Sequence, residues 1–300
     1  MLVHIGKIVH KKMIGRYGVP AFNTQDLETT QGIVRAAVKM KAPIIIETSE
    51  GAIEYAGAEE IAGIIKTVAR EVDVPIALHQ DHCKDFNLIK KLIGLGYSSV
   101  MIDASSLSYK ENVKLTKAVV SYAHKAGVWV QAELGRLLGS EDWQNVKKGE
   151  DLMTDPKQAV KFVAETGIDT LAVAVGSLHG IPVDPKIREI LSTLKEHIDI
   201  HRLRMIHEQV KIPLVLHGAS GVPDSQMQAA IKEGVAIFNI DTDLRVAFNK
   251  ALRKNLGENP QIYDPRKLLG PARDALQAMA EQKIEVLKCK NQAQYAISKH

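Results

Sequence analysis

Three histidines and a set of carboxylates stand where the short apolar runs of this 300-residue chain stop. The first run, Val19–Asn23, ends at Asn23, the second reaches Thr48 and Ser49, and the third closes in His79-Gln80-Asp81-His82. The fourth stops at Asp103 and the fifth at Glu133, the sixth runs past Gly176 to His179-Gly180, the seventh ends at His217-Gly218 and the eighth at Asn239 and Asp241. Taken singly, His82, His179 and His217 read as loop histidines with ordinary hydrogen bonds. Taken together, on three runs that stop at the same end and beside carboxylates, they read as ligands of a catalytic zinc, whose open fourth position polarises a carbonyl or activates water. Asp81 precedes a ligand histidine and so reaches the same cavity, where a carboxyl can shuttle a proton to or from a substrate oxygen. Asp103 and Glu133 either orient the histidines from behind or hold a second or displaced metal, and the residue types leave both open. His4, His10, His124, His197, His201 and His207 lack this registration and read as surface or packing residues, while His79, inside the third run, supports the interior.

The stretches HGASG (217–221) and NIDT (239–242) each place small or hydroxyl residues before a helix. Gly218, Ser220, Gly221 and Thr242 would leave backbone N–H groups and hydroxyls free to hold an anion. Turn and capping chemistry uses the same residues, but beside a metal site a phosphate is the better reading.

Those positions work only if the runs share one scaffold. Val19–Asn23, Pro43–Thr48, Pro75–His79, Ser98–Asp103, Val128–Glu133, Thr170–Gly176, Ile212–His217 and Ala236–Asp241 alternate with stretches of helical period, such as Thr29–Met40, Ala58–Val72, Lys110–Lys125 and Pro156–Thr166. Strand then helix, eight times, predicts a TIM (β/α)8 barrel in the α/β class, with its chemistry at the C-terminal strand ends. No linker breaks the series, so residues 1–288 are expected to form one domain. Extra helical pieces are expected at Asp184–His197 and about Pro271–Leu287, and 289–300 reads as a loose tail.

Composition narrows the function classes. The chain is 45% hydrophobic and 25% charged, with a net charge of +4 and no basic stripe of the kind nucleic acid requires. Two distant cysteines, Cys83 and Cys289, form no framework and fit a reducing compartment. With no signal-peptide core and no apolar window of about 20 residues, the expectation is a soluble cytoplasmic protein with neither a membrane nor a nucleic-acid partner. Apolar residues of the C-terminal extension (Leu276, Met279, Ile284, Leu287) call for cover, which predicts a homo-oligomer, dimer or tetramer.

The runs VPAFNTQ, ALHQDHC, SVMIDAS, QAELGRLLGSED, LAVAVGSLHG, PLVLHGASG and NIDTDLR resemble, in family order, the motifs of class II fructose-bisphosphate and tagatose-bisphosphate aldolases. The resemblance spans nearly the whole chain. It implies zinc on His82, His179 and His217, with Asp81 as the acid acting on the aldehyde oxygen and Asp103 and Glu133 as auxiliary metal positions. It further implies that Glu141 exchanges the proton on the dihydroxyacetone-phosphate carbon. Asn23, Ser49, Gly180, Gly218, Ala219, Ser220, Asn239, Ile240, Asp241 and Thr242 would line the phosphate and ketose pocket. The implied reaction is reversible cleavage of fructose 1,6-bisphosphate, with tagatose bisphosphate or a related keto-sugar phosphate as the alternative substrate.

Two departures stand out. The third-strand motif LHLDHG becomes LHQDHC, placing Gln80 and Cys83 beside the site, with Cys83 read as a small buried residue in preference to a soft ligand. After Gly180 the family's lysine- and glycine-bearing loop is replaced by IPVDPKIREILSTLKEH, where Lys186 or Arg188 would have to supply a phosphate contact. A water-activating hydrolase on the same barrel is disfavoured because the first strand ends in Asn23 with no HxH pair. A catalytically inactive barrel used for binding or assembly is disfavoured by the intact Asp81, Glu141 and three histidines.

Overall fold

The computed structural model describes residues 1–135, 138–139, 153–179 and 197–294, with the backbone alone described at 138–139 and 178–179. Its strands are β1 (Val19–Asn23), β2 (Ile44–Ser49), β3 (Ile76–Cys83), β4 (Ser99–Ile102), β5 (Trp129–Leu134), β6 (Leu138–Gly139), β7 (Thr170–Val173), β8 (Leu178–His179), β9 (Leu214–Leu216) and β10 (Val235–Ile240). Eight of them close a barrel in the order β1-β2-β3-β4-β5-β7-β9-β10, and every pairing within it is parallel. Both faces of such a sheet are covered, which is why runs such as Ile44-Ile45-Ile46 are apolar throughout and wholly buried.

The described helices are α1 (Leu27–Met40), α2 (Glu50–Ala56), α3 (Ala58–Arg70), α4 (Phe86–Gly94), α5 (Tyr109–Ala123), α6 (Pro156–Thr166), α7 (Ile200–Gln209), α8 (Asp224–Lys232), α9 (Thr242–Glu258) and α10 (Pro265–Val286). Their starts are specified locally. Asp26 and Thr29 form a reciprocal capping box on α1, as Ser108 and Glu111 do on α5, and Asp155 caps α6 ahead of Pro156 at the first helical turn. Among the described residues no helix is long and apolar enough to cross a membrane.

The sixth apolar run departs from expectation. Its barrel strand stops at Val173, and Leu178–His179 pairs instead with Leu138–Gly139 in a separate two-stranded sheet. The turn between them needs Gly176, whose φ is +106° and where a Cβ would stand 2.3 Å from the carbonyl oxygen of His197. Gly176→Ala is therefore expected to lower the free energy of unfolding by at least about 1–2 kcal/mol, the cost of left-handed backbone for an L residue. The urea midpoint of the purified variant checks this.

The C-terminal extension also differs. It begins at Pro265 under an Asp264 cap and carries Pro271 within the helix. Leu276, Ile284 and Leu287 are buried and Met279 packs against the same core, all within the chain's own fold, so these residues do not call for a second subunit. Leu276 meets α1 at Gly32, where a Cβ would stand 2.8 Å from its Cδ2, and Lys39 pairs with Glu281 at 2.6 Å. Residues 289–294 are not loose: Cys289 is buried, and Asn291 and Ala293 donate backbone hydrogen bonds to the carbonyls of Met40 and Lys41. The unpaired carbonyls at the end of α1 supply those acceptors. The helical piece expected at Asp184–His197 lies, apart from His197, outside the described residues, as do 295–300.

Candidate metal centre and active site

The third strand, expected to end at His79, continues to Cys83 and carries the polar cluster within the sheet. It stays in register with β2 as far as Ser49 opposite Asp81, but its pairing with β4 shifts between Gln80 and Cys83. Gln80 spans that irregularity: its Oε1 accepts from the Met101 N–H (3.3 Å) and its Nε2 donates to the Asp81 carbonyl (2.8 Å). The bulge re-aims the next residue, since His82 has φ +41°, left-handed backbone that a non-glycine residue adopts only under local constraint. Cys83 points away from the centre. Its thiol donates to Glu50 Oε1 (3.2 Å), burial pushes its pKa up, and among the described residues no metal-binding group includes it.

His82 and His217 meet across the barrel mouth. Nε2 of His82 and Nδ1 of His217 lie 2.7 Å apart with the rings edge to face, their centroids separated by 4.5 Å. Behind them, His82 Nδ1 donates to Asp103 Oδ2 (2.9 Å), Asp81 Oδ1 lies 3.8 Å from His82 Nε2, and Glu133 Oε2 lies 4.0 Å from His217 Nδ1. Burial alone would lower the pKa of His82, but the charges of Asp81, Asp103 and Glu133 and the Asp103 hydrogen bond lift it to about 10. Burial likewise opposes ionisation of Asp103, and there His82 and Ser105 win and hold its carboxyl below the usual range. The pocket thus favours positive charge at the His82 imidazole. Asp81, His82 and His217 form one group able to hold a metal ion, and His82, Asp103 and Glu133 form another.

Asp81 is buried and fixed at both oxygens, since Asn23 Nδ2 donates to its Oδ2 (2.9 Å) and Asn239 Nδ2 to its Oδ1 (3.2 Å). Asn239 also donates to Glu47 Oε2 (3.1 Å). Glu47 is fully buried, and burial first, then Asp81 and Asp241, push its pKa well above the usual carboxylate range. Its neighbour His79 is driven the other way by burial, to about 4 despite the pull of Asp81. Burial thus acts on Glu47 and His79 in opposite senses, favouring the uncharged form of each. Asn23, Glu47, His79 and Ser99 sit side by side in register across β1 to β4, and His79 Nδ1 bonds Ser99 Oγ at 2.9 Å.

At the far side, the turn 217–221 and the start of α9 come together. Gly218 has φ +65°, the Ala219 N–H donates to the Asn239 carbonyl (3.1 Å), and Ser220 Oγ accepts from the Asp243 N–H (3.3 Å). Asp241 makes no side-chain cap on α9 and instead pairs with Arg245 at 2.7 Å. Lys283, a buried cation on α10, donates to the Ser220 carbonyl (3.2 Å) and pairs with Asp243 at 2.5 Å, fixing the turn from behind. Ser49 caps α2, accepting from the Ala52 N–H. Ile240 is buried and Thr242 opens α9.

The structure therefore gathers Asn23, Asp81, His82, Asp103, Glu133, His217 and Asn239 at one end of the barrel. Glu141, Gly180, Lys186, Arg188 and the side chain of His179 lie outside the described residues. Two further buried participants stand inside the strands and not at their ends: Glu47 and Gln131, whose amide lies 2.8 Å from His217 Nε2. Strand periodicity was the signal for both. Glu47 stands two before Ser49, and Gln131 two before Glu133, each on the same strand face as a site residue.

Comparison with known proteins agrees with the geometry. A family model described as fructose-bisphosphate aldolase class II matches residues 3–292. A fructose-bisphosphate aldolase of Thermus caldophilus is 40% identical, aligned over 95% of this chain and 98% of its own. The D-tagatose-1,6-bisphosphate aldolase subunit GatY of Klebsiella oxytoca is also 40% identical, over 92% and 94%. Among solved structures, the YdjI aldolase of Escherichia coli K12 superposes with a TM-score of 0.82 at 30% identity, covering 98% of this chain and 100% of that one. The chain belongs to the class II fructose-bisphosphate aldolase family and is a ketose-bisphosphate aldolase built on a parallel eight-stranded barrel.

Proposed function

We propose that the protein is a zinc-dependent aldolase that reversibly cleaves fructose 1,6-bisphosphate to dihydroxyacetone phosphate and glyceraldehyde 3-phosphate, a step of glycolysis and gluconeogenesis in the cytoplasm. The observation that carries this reading is the pair of imidazole nitrogens, His82 Nε2 and His217 Nδ1, facing each other 2.7 Å apart beside Asp81. The donor set suits the group: imidazole nitrogens backed by carboxylates are the ligands of borderline-soft zinc. His179 is the third ligand in this reading, and Asp103 and Glu133 provide a second or displaced position. A zinc ion held by these residues would supply a Lewis acid for the ketose carbonyl.

The chain's own residues supply the rest. Asp81 takes the proton from the hydroxyl beside the breaking bond during cleavage and returns it to the aldehyde oxygen during condensation. Asn23 and Asn239, each bonded to one of its oxygens, fix the direction in which it presents that group. Asp103 holds the Nδ1–H of His82 and so leaves Nε2 facing the site. Gly218, Ala219, Ser220, Asn239, Ile240, Asp241 and Thr242 line the pocket for the substrate's phosphate and ketose at the start of α9, where free backbone N–H groups suit the phosphate, with Ser49 and Gly180 completing the pocket and Glu141 exchanging the proton on the dihydroxyacetone-phosphate carbon. Homo-oligomers remain part of the proposal, without support from the C-terminal apolar residues.

Equal identity to a tagatose-bisphosphate aldolase subunit favours a second reading, in which the epimeric sugar is the substrate. Parallel rates on the two bisphosphates separate them. A kcat/KM at least about tenfold higher on fructose bisphosphate, about 1.4 kcal/mol of discrimination, is expected, and the reverse order would assign the tagatose reaction.

A further inference from the structure

His217 must present one particular nitrogen to a metal, and a neighbouring side chain decides which. Its Nδ1 faces His82 Nε2 at 2.7 Å, and its Nε2 lies 2.8 Å from the amide of Gln131 on β5. A neutral imidazole has one N–H and one lone pair, so Nδ1 can ligate only if Nε2 carries the proton and donates it. His217 and Gln131 are 1% and 2% exposed, so water is a poor substitute for that acceptor. The Gln131 Nε2 end also touches Met101 Sδ at 3.3 Å, and Oε1 lies 3.5 Å from Thr170 Oγ1. In this orientation the amide donates to His217 and the imidazole proton sits on Nδ1, toward His82. A half-turn of the amide about its last bond exchanges the two ends. Its oxygen then accepts from Nε2–H, its NH2 donates to Thr170 Oγ1, and the Nδ1 lone pair is freed.

We infer that Gln131 is a positioning residue for metal binding: its amide oxygen fixes His217 as the Nε2–H tautomer, so that Nδ1 is available to the ion. The inference rests on the reading of His82 and His217 as metal ligands. Hydrogen-bond partners behind a ligand histidine are worth 10- to 100-fold in affinity, roughly, when lost.

Zinc dissociation constants from competition with a chromophoric chelator test it on the purified full-length protein, with thermal melts to establish that each variant folds. Gln131→Met keeps the side-chain length and removes the acceptor, and is expected to weaken zinc binding by about 10- to 100-fold. Gln131→Glu restores an acceptor oxygen and is expected to keep wild-type affinity or tighten it. A packing role would give the opposite order, since the apolar residue suits a buried site and the carboxylate does not. Equal affinity in wild type and Gln131→Met overturns the inference, and so does a Gln131→Glu variant that binds tenfold or more weakly, whether or not the Met variant folds. Wild-type protein that binds no zinc overturns the metal-centre reading itself, a result distinct from any difference between variants.

Discussion

His217→Ala and His82→Ala should each remove bound zinc and, with it, aldolase activity. The two nitrogens point at each other from opposite sides of the barrel mouth, and in the proposed three-histidine site either deletion leaves two ligands at most. A Lewis acid contributes several kcal/mol to transition-state charge stabilisation, so its loss should lower kcat/KM by ~10³-fold or more. Metal content by atomic emission, measured on the samples used for kinetics, makes the test specific. A variant with no zinc and full turnover would remove the metal from the mechanism. A variant that keeps zinc but loses activity would mean the substituted histidine acts on substrate and is not a ligand.

Asp81→Ala should separate chemistry from metal binding. Asp81 Oδ1 lies 3.8 Å from His82 Nε2, close enough to share the reacting centre, yet His82 is positioned by Asp103 and the bulge in β3, neither of which needs the Asp81 side chain. The variant is expected to hold zinc as tightly as wild type within a fewfold and to lose ~10²- to 10⁴-fold in kcat, the usual worth of a proton-transferring group. Wild-type turnover would take Asp81 out of that role.

Most of the scaffold could be read from the sequence because strand and helix periods differ and most of the described helices start on a side-chain cap, as at Asp26, Ser108 and Asp155. Val19–Asn23 and Pro156–Thr166 are found at the bounds their residues suggest. The errors share a physical origin. The third strand extends to Cys83 although HQDHC is polar, because in a barrel the inward face at the mouth is the site and other strands supply hydrogen-bond partners there, as Asn23 and Asn239 do for Asp81. Glu47 and Gln131 are not marked by the end of an apolar run: each stands two residues before a site residue, and inward positions recur every second residue. Glu47 can lie fully buried in an apolar strand because Asn239 bridges it to Asp81 and burial pushes its pKa up, favouring the protonated acid. The sixth run misled because apolarity continues through Val175 while the backbone turns away at Gly176, a conformation that composition does not reveal. Asp103 shows the opposite case: its position at the end of a strand suggested orientation of a histidine or metal binding, and its carboxylate does bond His82.

Cleavage of fructose 1,6-bisphosphate by the purified protein, before and after a chelator and again after added zinc, is the most direct test of the proposed metal-centred chemistry. Activity should disappear with the chelator and return with zinc in proportion to the metal bound per chain. Undiminished turnover by protein shown to be free of metal would contradict the proposal that His82 and His217 serve to hold an ion against the substrate.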